Sequence, residues 1–73
     1  MASAHVVPNG SAWQVKGDGV VVNTSPTQSL AISYARSWLQ SHGGGELYIH
    51  GTDGAVRDKD TIYPGNDPRN IRG

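Results

Sequence analysis

Three histidines, His5, His42 and His50, are the side chains of this chain with the widest chemical range. Three imidazoles could hold a zinc ion with one coordination position left open for a substrate. Such a site needs converging ligands and partners that orient them. The sequence offers neither, since no two histidines stand four apart on a helix and no carboxylate lies beside them at ligand spacing. The plainer reading makes His5 and His50 strand residues whose ring nitrogens bond neighbouring groups. His42 then closes a helix, where its charge suits the dipole. No metal and no cofactor is expected.

Nucleophilic chemistry finds as little support. Serine is plentiful, but none sits in a Gly-x-Ser-x-Gly elbow. Asp58 and Asp60 alternate with Arg57 and Lys59, which reads as a solvated strand end rather than an acid–base pair. Gly43-Gly44-Gly45 follows a helical stretch, whereas a phosphate cradle precedes one so that free amides and the dipole meet the anion. Nothing here specifies an enzyme, and a non-enzymatic role is expected.

The element that must position these residues is the stretch Ser25 to Gly43. Its apolar residues recur as Ala31/Ile32, Ala35 and Trp38/Leu39, a single stripe at helical spacing. Ser29, Ser33, Arg36, Ser37 and Gln40 occupy the opposite, solvated face. Ser25 or Thr27 can cap the first amides, Pro26 suits a first helical position, and Gln28 stands three residues after Ser25 as in a capping box. The three glycines stop the helix, because glycine accepts the left-handed conformation of a closing turn.

Short strand-like segments flank it. Ala4 to Pro8 ends at the turn Pro8-Asn9-Gly10, and Ala12 to Lys16 alternates with Trp13 and Val15 on one side. Gly17-Asp18-Gly19 turns the chain into Val20 to Asn23, whose β-branched residues suit a pleated sheet. These three segments read as an antiparallel meander, because the two connections between them are too short for a parallel crossover. After the helix, Glu46 to His50 places Leu47 and Ile49 inward and Tyr48 and His50 outward. A loop at Gly51-Thr52-Asp53-Gly54 leads into Ala55 to Asp60. Continuing that strand's inward face from Val56 buries Asp58 and Asp60 unpaired, so the strand is expected to end or bulge near Asp58. The fold class is α+β, β-β-β-α-β-β, with one helix on an antiparallel sheet. Residues 1–63 make the domain and 64–73 a partly ordered tail. The expected core is Trp13, Val15, Ala35, Leu39, Leu47 and Ile49.

Composition narrows the partners. Seventy-three residues make one small domain, with no cysteine for a disulfide or thiolate site. Six basic residues balance six acidic ones, so the net charge is zero at pH 7. A neutral chain lacks the overall positive field of a protein held to phosphates by counterion release. No apolar run reaches membrane-spanning length and no secretory leader is visible, which points to the cytoplasm.

Several fragments also resemble, in order, a known small-protein pattern. They are His5-Val6-Val7-Pro8, Trp13-x-Val15-Lys16, Thr27-Gln28 leading into Ala31-Ile32 and Ala35-Arg36, Glu46 to Gly51, Asp53-Gly54 and Asn66-Asp67-Pro68. Together they resemble the bacterial and phage family catalogued as domain of unknown function 2188. The resemblance implies a compact, strand-rich domain with one helix and carries no catalytic residue. Leu30 departs from it, standing where such sequences often carry an acidic residue. Arg69-Asn70-Ile71-Arg72 replaces a more proline-rich ending.

Two functions follow as expectations. The first is an interaction module that docks on itself or on another protein through Leu30 and Tyr34, which flank the core stripe and extend an apolar patch, together with Trp38 of the stripe. The alternative is nucleic-acid binding through Arg36, Arg57, Lys59, Arg69 and Arg72, with Tyr48 or Trp38 for stacking. The interleaved Asp53, Asp58, Asp60 and Asp67 weaken that basic patch.

Overall fold

A computed structural model describes residues 2–65. Its elements are β1 (Ala2–Asn9), β2 (Ala12–Gly17), β3 (Val20–Ser25), α1 (Gln28–Ser41), β4 (Gly45–His50) and β5 (Val56–Ile62). This is the expected β-β-β-α-β-β order, with the helix packed on a five-stranded sheet ordered β3-β2-β1-β4-β5. The sheet is mixed, not antiparallel throughout. Strand β4 runs parallel to β1, with Ala4 opposite Leu47 and Val6 opposite Ile49. Two short turns reverse the chain twice, so β3 runs in the direction of β1, and α1 carries it back over the sheet to start β4 in that same direction. A helix can make the long crossover that a tight turn cannot.

Helix α1 starts at Thr27, whose Oγ1 accepts the Leu30 amide at 3.2 Å. Ser25 does not cap it. That residue is buried, and its hydroxyl accepts from Asn23 Nδ2 at 2.7 Å. Pro26 therefore precedes the cap, and the capping box is not made. Gln28 instead donates from Nε2 to the His50 carbonyl at 3.2 Å, tying the helix start to the end of β4. At the other end the Gly44 amide donates to the Leu39 carbonyl at 2.7 Å. Gly43 and Gly44 hold φ of +87° and +82°, which only glycine adopts without strain.

Ala31, Ala35 and Leu39 form the inward stripe of α1 and are fully buried with Ala4, Val6, Val15 and Leu47. Alanines facing alanine and valine bring the helix close to β1 and β2, its main contacts. The expected core residues Val15, Ala35, Leu39 and Leu47 are buried, while Trp13 and Ile49 are half-buried and pack on its margin. Ala2, Ala4, Val6 and Ile62 complete it.

Strand β5 bulges where a break is expected. Its register shifts between the pairs Ile49–Asp58 and His50–Val56, which leaves Arg57 as the extra residue. It then continues to Ile62. Asp58 and Asp60 escape burial because β5 is an edge strand, and the Asp60 carboxylate meets the Arg36 guanidinium at 2.9 Å. After β5 the Gly65 amide donates to the Gln40 carbonyl at 3.2 Å. Of the expected tail, residues 66–73 lie outside the described residues, Arg69 and Arg72 among them. Among the described residues no helix is long and apolar enough to cross a membrane.

Candidate interaction surfaces

The helix exposes an apolar flank beside its buried stripe. Leu30 is 55% exposed and Tyr34 40%, one turn apart. Tyr34 and Trp38 also line an open groove of about 680 Å³ between α1 and β3, with Val22 at its strand side and Ser41 and His42 at its end. Trp38 is not free in the manner of its neighbours. Its indole lies so close over Gly17 that a Cβ there would come within 2.5 Å of it. The His42 ring stacks on its other side, with centroids 4.0 Å apart and planes 18° from parallel. His42 Nδ1 donates to the Trp38 carbonyl at 2.7 Å, so this histidine does finish the helix. The structure thus joins Leu30, Tyr34 and Trp38 on one side of α1, the first two as free surface and the third as a fixed groove wall.

The basic residues are not gathered in this way. Arg36 projects from the helix toward Asp60, Arg57 lies 3.7 Å from Asp53, and Lys59 lies 3.8 Å from Glu46. Register places Lys59 beside Tyr48 on the side of the sheet away from α1, so Arg36 and Lys59 face opposite ways. Exposed pairs of this kind stabilise little. Their effect is to set a negative group beside each of these three cations.

That open side of the sheet carries an arrangement that sequence alone does not reveal. Register aligns Lys16, His5, Tyr48 and Lys59 across β2, β1, β4 and β5. The His5 and Tyr48 rings stack at 4.6 Å and 17°, and the Lys59 ammonium sits 5.7 Å from the Tyr48 centroid. These ring faces cover one another, so they are not open to an incoming base. His50 joins from the next outward position of β4, with its Nε2 2.9 Å from His5 Nδ1. Its Nδ1 reaches the Gly54 carbonyl at 2.8 Å. Burial, the neighbouring His50 and the Lys16 charge hold the His5 pKa below its usual value. Outward placement of both histidines is legible from strand alternation, but their meeting depends on the parallel register of β1 and β4.

A second open groove of about 450 Å³ lies where the helix start meets the β4–β5 turn. Trp13, Ile32 and Ile49 give it an apolar floor, and Gly51, Thr52 and Arg57 form its rim.

Comparison with known proteins adds one finding. The family model for uncharacterised proteins conserved in bacteria, domain of unknown function 2188, matches residues 4–62. No curated protein and no solved structure matches the chain.

Proposed function

We propose that this chain, which belongs to the bacterial family of uncharacterised proteins known as domain of unknown function 2188, is a cytoplasmic, non-enzymatic interaction module. Its docking surface is the outer flank of α1, formed by Leu30 and Tyr34 and continued by the groove walled by Trp38 and Val22. The observation that carries this reading is the exposure of two large side chains one turn apart beside an apolar groove. A small domain gains more by covering such a patch than by leaving it in water.

The occupant favoured is a second copy of the chain. One surface used twice covers both patches in a symmetric dimer. The net charge of zero sets no overall repulsion between copies. The two histidines best placed for chemistry, His5 and His50, bond each other and a backbone carbonyl, which supports a binding role over catalysis. Nucleic-acid binding through Arg36, Arg57 and Lys59 has weaker support, because these cations lie beside carboxylates and Arg36 and Lys59 face opposite ways.

Light scattering over a dilution series tests the reading. The parent is expected to form dimers as its concentration rises. Leu30→Lys and Tyr34→Lys should each shift it to monomer without unfolding it, since neither residue belongs to the core. A parent that stays monomeric at high micromolar concentration overturns self-association. Loss of dimer through a proline in β3, with Leu30→Lys and Tyr34→Lys still dimeric, would move the interface to the sheet edge.

A further inference from the structure

We propose that His5 and His50 form a proton-operated latch that holds the β4–β5 turn at neutral pH and releases it in acid. This device lies on the sheet face away from the helical flank and is independent of the docking proposed there.

The bonding fixes where the protons are. A carbonyl only accepts, so His50 Nδ1, 2.8 Å from the Gly54 carbonyl oxygen, carries a hydrogen. In neutral His50 the other nitrogen, Nε2, then bears a lone pair. His5 Nδ1, 2.9 Å away, must donate to it. Both rings are therefore held as Nδ1–H tautomers, each fixed by the partner of the other nitrogen or its own.

The His50 ring is a strut on the turn. Within the turn the Gly51 amide donates to the Ala55 carbonyl at 2.8 Å and the Gly54 amide to the Gly51 carbonyl at 2.9 Å. The Ala55 amide donates to Asp53 Oδ1 at 3.1 Å. The bond from His50 Nδ1 is the link from this turn to the body of the sheet's open face. On the other face, Gly51 and Thr52 belong to the rim of the second groove, so movement of the turn changes that groove.

Two protons act differently. The first leaves one of the two facing nitrogens with a lone pair, so an N–H···N bond between the rings survives, now charge-assisted. The second puts a hydrogen on both facing nitrogens, His5 Nδ1 and His50 Nε2. That turns the acceptor into a donor, sets two N–H groups against each other, and places two imidazolium rings with centroids 5.1 Å apart. The pair cannot then keep its geometry, and His50 swings away with its hold on Gly54.

The surroundings favour this response. Lys16 on β2 stands opposite His5, and Lys59 on β5 lies over Tyr48, both adding positive charge. Tyr48 on β4 presents its ring to His5. Glu46, on the same side of the sheet, is engaged by Lys59 and by the Thr61 hydroxyl. In the turn Asp53 binds the Ala55 amide and lies beside Arg57. Burial first, then the His50 and Lys16 charges, lowers the His5 pKa.

Nitrogen-15 spectra of the imidazoles, combined with amide exchange of the whole chain, test the latch. At neutral pH both histidines should appear as Nδ1–H tautomers. As the second proton binds, exchange at Gly54 and Ala55, corrected for intrinsic pH dependence, should rise roughly two- to tenfold, the effect of one lost net hydrogen bond. His5→Phe keeps a ring against Tyr48 but removes the donor and the second charge, and should abolish that acid step. If His5→Phe does not fold, His5→Asn serves, because its amide can donate to His50 Nε2 without titrating. An Nε2–H tautomer for His50 at neutral pH overturns the proposal. So does exchange at Gly54 and Ala55 that ignores titration of both rings, or an acid step that persists in the folded variant.

Discussion

The two faces of this sheet are built from alternate residues of the same strands, yet they are closed in different ways. Toward the helix, Ala4, Val6, Val15 and Leu47 are fully buried, and the small residues Ala31 and Ala35 let α1 approach them. That face is closed by another element. Away from the helix, His5 stacks on Tyr48 and Lys59 lies over the same ring, so side chains of neighbouring strands cover one another. That face is closed by its own residues. The contrast shows how a domain with a single described helix manages a two-sided sheet. Apolar area is spent under the helix, where it is removed from water, and amphipathic side chains are used where water remains.

If this division is right, the two faces should differ sharply in what they tolerate. The largest effect is expected from Ala35→Glu, which puts an unpaired charge where the helix meets the sheet. It should cost several kcal/mol, enough to unfold a domain of this size, as circular dichroism would show. A melting curve equal to the parent's would mean that another helical face is buried. Gly17→Ala comes next. Its methyl group must displace the Trp38 indole, at a cost of about 1–3 kcal/mol and with a shift in tryptophan emission. On the open face, Tyr48→Ala removes the centre of the ladder and should cost less than either. The stacking it deletes is worth roughly 0.5–1.5 kcal/mol beyond the area lost. A Tyr48→Ala loss as large as that of Ala35→Glu would erase the distinction between the faces.

How much of this was legible in the chain depended on how local the cause was. The helix follows from the spacing of Ala31, Ala35 and Leu39, and its end from consecutive glycines, all within one segment. Inward placement of Leu47 is likewise a matter of alternation. The bulge beside Asp58 is readable because burying two aspartates is costly whatever the partner strand. What is not readable is set by distant register. Ala4 and Val6 read as part of a short strand, but their place in the core shows only once β4 lies parallel beside β1. Ile62 is buried because it pairs with Gly45, next to the close approach of Ala2 to that glycine. Ser25 is the last residue of β3, where its hydroxyl accepts from the Asn23 amide, and Thr27 caps the helix. The candidate site divides in the same way. Leu30 and Tyr34 are found from helical spacing alone, whereas the fixing of Trp38 against Gly17 and the meeting of His5 with His50 need the fold.

The docking role proposed for the flank of α1 is tested most directly by recording amide and indole spectra of the parent from low micromolar to millimolar concentration. Resonances of Leu30 and Tyr34, with the Trp38 indole N–H, should shift together along one dilution curve, while Lys16 and Tyr48 on the open face stay still. Spectra that do not change over that range, or shifts confined to the open face, would contradict the assignment.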